Sequence, residues 1–164
     1  EETYFKAISD KTASLIETSC TIGAMSASKD EKSIIAMKDF GMNLGISFQI
    51  RDDILDYEGK LSVTGKRAGG DIKEKKITLP LIYSLNQVST EKASRIRKII
   101  KNGKDKPEIE TVIEFVRENK GIDYAISKAR EYSQAAKEAL DKLPDSQSKL
   151  ALQGLVDFVI DRKN

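Results

Sequence analysis

Apolar residues return every three to four positions along most of this chain, which is the spacing of one helix face. Tyr4 or Phe5, Ile8, Thr12, Leu15, Ser19, Ile22 and Met25 predict a first helix over residues 3–28, rich in small side chains. Ser28-Lys29-Asp30-Glu31 reads as a turn and a helix start. A second helix comes next over 31–57, carrying Ile34, Ile35, Met37, Phe40, Leu44, Phe48 and Ile54. Gly41 and Gly45, four apart on it, would let a neighbouring helix come close. Residues 58–78 lose the period and read as a loop. Thr78 is placed as an N-cap, with Pro80 in the first turn of a short third helix. A fourth helix starts at Ser89 or Thr90 and stops at Asn102-Gly103. A fifth begins after Pro107 and stops at Asn119-Lys120-Gly121. A sixth covers 122–143, and a last one begins at Ser146 or Ser148 after Pro144-Asp145. No stretch alternates in the manner of a strand, and no tandem repeat is present. The expected class is all-α, with mostly antiparallel neighbours joined by short turns.

The second helix ends on an unusual pattern. Gln49, Asp52, Asp53 and Asp56 fall on one side of it, because residues three and four apart stack above each other. Around them stand Leu44, Ile46, Phe48, Ile50, Ile54, Leu55 and Tyr57. Like charges one turn apart repel, and a carboxylate among apolar side chains is costly. The arrangement needs a counter-charge. Magnesium suits it, since this ion takes oxygen ligands and bridges one or two carboxylates to a substrate phosphate. The same string on a plain surface helix would be a solvated face. The apolar flanks and the basic loop after the acids favour the metal–phosphate reading.

That loop holds Gly59, Lys60, Gly65, Lys66, Arg67, Gly69, Gly70, Asp71, Lys73, Lys75 and Lys76. Long loops of this kind are often functional. It is not an NTPase phosphate loop: Arg67 comes after Gly65-Lys66 where Ser or Thr is required, and Gly59 is one residue too far away. Its lysines suit the phosphates of a substrate, or else form a solvated basic rim. Lys11-Thr12 on the first helix is similarly open, either an inward polar pair or an exposed lysine beside a tolerated threonine.

Composition narrows the chemistry. The 164 residues fit one domain. Lys+Arg total 28 against 26 Asp+Glu, a net charge of +2 that does not point to nucleic acid. There is no histidine, which excludes His-based acid–base catalysis, Ser-His-Asp triads and His-ligated zinc. Cys20 alone cannot form an internal disulfide and is expected as a small core residue. No apolar run is long enough to span a membrane, no signal peptide precedes the fold, and a cytoplasmic location is expected. The first residue is Glu1, so the natural start is expected upstream.

The segments Gly45-Ile46-Ser47-Phe48-Gln49-Ile50-Arg51-Asp52-Asp53-Ile54-Leu55-Asp56 and Gly65-Lys66-Arg67-Ala68-Gly69-Gly70-Asp71-Ile72-Lys73-Glu74-Lys75-Lys76-Ile77-Thr78-Leu79-Pro80-Leu81 resemble the second half of a trans-prenyltransferase, or polyprenyl diphosphate synthase. Lys11-Thr12 and the ending Asp161-Arg162-Lys163 are also similar to that family. The resemblance covers essentially residues 1–164 and implies a partial isoprenoid-synthase-type helical bundle, a C-terminal half. It implies a Mg2+-dependent condensation of isopentenyl diphosphate with an allylic diphosphate, in a homodimer when full length. By the same resemblance Asp52 holds metal, Asp53 and Asp56 complete the acidic cluster, and Asp71 orients water or a lysine near it. Lys11 and Lys66 contact the allylic diphosphate, with Lys76 in support. Thr12 and Gln49 line the site near the reacting carbons.

Two departures stand out. Lys75 occupies a position where many members have glycine. The first aspartate-rich motif and the residues that hold isopentenyl diphosphate have no match here, so this piece alone is expected to be inactive. A magnesium-dependent terpene cyclase and a non-catalytic helical subunit or interaction module are the rival readings. The lysine-rich loop argues against the first, and the intact acids and lysines against the second.

Overall fold

The computed structural model describes residues 1–58, 68–102 and 106–162. Gly59, Lys60, Gly65, Lys66 and Arg67 of the basic loop, Gly103 and Lys163 lie outside them. Among the described residues every regular element is a helix. The helices are α1 (Glu2–Ile8), α2 (Ser14–Ala27), α3 (Glu31–Glu58), α4 (Gly70–Lys73), α5 (Leu79–Asn86), α6 (Thr90–Asn102), α7 (Lys106–Glu118), α8 (Gly121–Asp141) and α9 (Gln147–Asp161). The expected loop after α3 is thus not wholly irregular, because α4 adds one short helical turn to it.

Two compact units are built from these elements. One comprises Glu2–Arg51 with Ser127–Arg162, and the other is centred on Asp52–Ile126. The helix α3 gives its longer part to the first unit and its last two turns to the second.

In the first unit, α1 continues into α2 through a π-helical turn, Ser9–Ala13, closed by the Ser14 N–H on the Ser9 carbonyl. Such a turn inserts one extra residue and rotates the next helical segment by about 100° relative to an unbroken α-helix. This corrects the face expected from the sequence. Tyr4 and Ile8 are buried, but beyond them the inward positions are Ala13, Ile16 and Cys20. Leu15, Ile22 and Met25, which the unbroken period would turn inward, are 70%, 60% and 60% exposed. Gly41 and Gly45 perform the predicted close approach. A Cβ on Gly45 would lie 2.5 Å from the Ala13 Cα, and one on Gly41 would lie 2.7 Å from the Glu17 Cα. The core of this unit joins Phe40 and Leu44 of α3 to Ala136, Ala139 and Leu140 of α8 and Val156 and Val159 of α9. Cys20 packs at its edge and is half-buried rather than fully enclosed; burial raises its thiol pKa. The buried Ser47 hydroxyl donates to the Ala129 carbonyl at 3.1 Å and shares a 2.7 Å hydrogen bond with Ser133, so α3 meets α8 through a satisfied polar contact. Ser146 caps α9, accepting the Lys149 N–H at 3.1 Å.

In the second unit the core gathers Tyr57 at the end of α3, Ile72, Leu81 and Leu85, and the apolar faces of α6 and α7 around Ile96, Ile100, Val112 and Val116. Pro80 lies in the first turn of α5, where its missing N–H costs nothing. Thr78 occupies the N-cap position in extended conformation, but its side chain does not cap the helix. Its hydroxyl instead meets the Tyr57 hydroxyl at 3.1 Å.

Candidate metal and diphosphate site

The first unit holds the Lys11-Thr12 pair and Gln49. Both Lys11 and Thr12 stand on the π-helical turn. Lys11 is exposed. Thr12 is half-buried, and its hydroxyl donates to the Gln49 Oε1 at 2.9 Å. The structure therefore joins two of the residues singled out from the sequence, across 37 positions of chain. π turns recur at functional sites because they redirect side chains without ending the helix.

The second unit holds the acids. As the spacing predicts, α3 runs unbroken through Gln49, Asp52, Asp53 and Asp56. Asp52 is exposed, whereas Asp53 is only 5% exposed. Asp56 is engaged with the backbone of the next turn of chain. Its Oδ1 accepts the Gly70 N–H at 2.9 Å, and its Oδ2 accepts the Asp71 N–H at 3.0 Å. Its main-chain carbonyl accepts the Gly69 N–H at 2.9 Å. Burial raises the Asp56 carboxyl pKa; the Asp71 N–H opposes that, the Asp71 charge adds to it, and the Gly70 N–H opposes it again. Gly69 has a φ of +88°, and a Cβ there would fall 2.2 Å from Ile109 Cγ2 on α7. Only glycine fits that corner.

Asp71 is paired in turn. Lys76 donates to its Oδ1 at 3.3 Å and to Glu74 Oε2 at 2.6 Å. Glu74 first and Asp71 second raise the Lys76 pKa, which keeps it cationic. The Lys76 N–H also closes on the Asp71 carbonyl at 2.8 Å. Lys75 adopts φ +61° and sits in the left-handed region, so a glycine-favouring turn is present where a lysine stands. Sequence reasoning missed two supports at this end of α3. The Tyr57 ring is fully buried, with its phenol pKa raised well above the ordinary range chiefly by burial. Its carbonyl accepts from Arg117 of α7 at 3.1 Å. A cation on the last turn of a helix is favourable and satisfies a carbonyl that the helix leaves open. Neither partner is adjacent in sequence, so no local pattern announces them.

Among the described residues no three His, Cys, Asp or Glu side chains converge tightly enough to enclose a metal ion. The donors at this end of α3 are carboxylate oxygens alone, which suit a hard divalent cation in an open set completed by substrate oxygens. No described helix is long and apolar enough to cross a membrane.

Residues 1–116 match the model of the polyprenyl synthetase family. The chain belongs to that family. It is 36% identical over 99% of its length to the octaprenyl diphosphate synthase of Haemophilus influenzae, covering 49% of that protein. It superposes over 100% of its length, with a TM-score of 0.91 and 31% identity, on half (50%) of a polyprenyl synthase from Caulobacter crescentus complexed with calcium and isoprenyl diphosphate. A geranylgeranyl pyrophosphate synthetase from Pyrococcus horikoshii gives a TM-score of 0.92 at 33% identity, with 98% of this chain and 49% of that one covered. The chain spans about half the length of the curated relatives it matches. Its all-α fold is thus about half of the helical fold of those synthases. The match includes α3, α4 and both candidate clusters.

Proposed function

We propose that this chain is the C-terminal half of a prenyltransferase that condenses isopentenyl diphosphate with an allylic diphosphate, with diphosphate as the leaving group. The observation that supports it most is the acidic end of α3. Asp53 is buried there beside the exposed Asp52, and the Asp71–Lys76 ion pair belongs to the same unit. Family membership supports a diphosphate chemistry for that cluster, and the chain has no histidine to serve as general acid or base.

In this reading Asp52 would hold magnesium directly, Asp53 and Asp56 would complete the acidic cluster, and Asp71 would orient water or a lysine beside the ion. When bound, the ion supplies positive charge against the diphosphate oxygens. Lys11, Lys66 and Lys76 neutralise the same group as the allylic C–O bond breaks and its electron pair leaves with the diphosphate. The double bond of isopentenyl diphosphate then forms the new C–C bond, and a proton is lost to the released diphosphate. Thr12 and Gln49, hydrogen-bonded to each other, are the polar pair assigned in this reading to the neighbourhood of the reacting carbons. Positioning and charge stabilisation carry such a reaction, with no nucleophilic side chain required. A homodimer and a cytoplasmic location belong to the same proposal.

The test is isopentenyl transfer by the complete protein, with allylic diphosphates of several lengths. Product that forms with magnesium and fails to form after chelation is the expected result. Asp52→Ala lowers turnover by more than about tenfold, the loss expected for an electrostatic group acting in the transition state. No product from the unaltered protein with any allylic partner overturns the assignment.

A further inference from the structure

The three carboxylates of α3 do not stand in the same circumstances. Asp52 is exposed and Asp53 is buried, whereas Asp56 grips a stretch of backbone. Three successive N–H groups, those of Gly69, Gly70 and Asp71, all donate to this one residue. Each carboxylate oxygen takes one amide, and the main-chain carbonyl takes the third. Hydrogen bonds from backbone N–H to an ionised carboxylate are among the stronger ones in proteins. They take up one lone pair of each oxygen and fix the plane of the carboxylate against the turn.

The far side of the same turn is fixed independently. Gly69 packs so closely on Ile109 that no side chain fits. A Cβ on Gly70 would lie 3.0 Å from the Asp56 Oδ1, so the fork and the glycine are matched in size. Beyond the turn, the Lys73 N–H bonds back to the Gly69 carbonyl and the Glu74 N–H to the Gly70 carbonyl. The Lys76 N–H and Nζ then both reach Asp71. The contacts form a chain: Asp56 holds the turn, the turn sets Asp71, and Asp71 sets Lys76.

We propose that Asp56 is a positioning residue, not a metal ligand, and that its carboxylate fork holds the Gly69–Gly70–Asp71 turn so that Asp71 stands beside the metal and Lys76 faces the diphosphate. The inference rests on the function proposed above, and it sets Asp56 apart from Asp52 and Asp53 as a clamp. An amide side chain can reproduce only half of the fork, because Asn offers one acceptor oxygen and turns an NH2 group toward the second N–H.

The experiment uses the complete protein and has two arms. The first is amide hydrogen exchange over residues 69–76 with metal and substrate absent. Asp56→Ala raises exchange at Gly70 and Asp71 by at least about tenfold, since each loses a charged acceptor. Asp56→Asn, which retains one acceptor and guards against a variant that does not fold, gives a smaller rise. Asp52→Ala leaves this region unchanged. The second arm is kinetic. Asp56→Ala raises KM for the allylic diphosphate by about tenfold, with a smaller effect in Asp56→Asn. Manganese titration without diphosphate separates clamp from ligand: Asp52→Ala weakens binding and Asp56→Ala changes it less than about twofold. Unchanged exchange in Asp56→Ala overturns the clamp. Raised exchange with unaltered KM overturns the positioning role. Metal affinity lost equally in the two alanine variants restores Asp56 as a ligand. The exchange arm needs neither metal nor turnover, so an unaltered protein that transfers no isopentenyl unit overturns the proposed function and leaves the clamp to be judged on exchange.

Discussion

The Thr12 hydroxyl and the Gln49 amide oxygen are 2.9 Å apart and hydrogen-bonded, which ties the π-helical turn to the middle of α3. A part-buried bond of this kind contributes about 1 kcal/mol net. Thr12→Val removes the donor at similar volume, and Gln49→Leu removes the acceptor. A double-mutant cycle in chemical denaturation yields a coupling of about 1 kcal/mol for the pair. Additive losses would show that the contact contributes nothing.

Glycines at helix positions separate cleanly by what surrounds them. Gly45→Ala drives a methyl into the Ala13 backbone and destabilises by about 1–3 kcal/mol, outweighing any gain in helix propensity. Gly23 in α2 has nothing within 4 Å of where its Cβ would stand. Gly23→Ala is therefore stabilising by about 0.5–1 kcal/mol. Thermal midpoints moving in opposite directions for the two variants are the expected outcome.

Lys75, at φ +61°, bears a left-handed backbone that costs a side-chain-bearing residue about 1–2 kcal/mol. Lys75→Gly removes that strain at an entropic cost of about 0.5–1 kcal/mol, so it is neutral to stabilising. At Lys98 inside α6 the same change costs about 1 kcal/mol. A destabilised Lys75→Gly variant would contradict the strain argument.

Asp30 caps α3. Its Oδ2 accepts the Ser33 N–H at 3.0 Å and the Ser33 hydroxyl at 2.6 Å. The Ser33 side chain first, and its N–H next, lower the Asp30 pKa. A lowered folded pKa means that the charged form is stabilised by folding. That stabilisation is complete above the ordinary carboxylate value, about 3.9, and is lost as pH falls through the folded value below it. Asp30→Ala therefore lowers the thermal midpoint at neutral pH, and the gap to the parent narrows as pH falls below the ordinary carboxylate range. A gap independent of pH would assign the effect to packing.

The sequence announced helices wherever the apolar period was long, and α3 was legible almost to the residue because its glycines, apolar positions and acids share one register. The inward face of α2 was not. A π turn inserts a residue without any change of residue class, so Tyr4 and Ile8 point one way in the period and Ile16 and Cys20 another. Asp56 illustrates the same limit. Helix spacing puts it beside Asp52 and Asp53, but its partners are backbone amides 14 and 15 residues on, and an N–H has no letter in the sequence. Thr78 shows the converse: its position as a cap was readable, while its bond to Tyr57 required the fold.

Cys20 is the chain's lone sulfhydryl, tucked at the edge of the Phe40 cluster with its proton held more tightly than usual. The thiolate is the reactive form, so this sulfur will meet maleimides slowly. A cysteine introduced on an exposed helix surface, such as Lys98→Cys, will be alkylated well before it. These 164 residues are thus already a usable background for attaching a single fluorophore or spin label, with no need to strip out their own sulfur first.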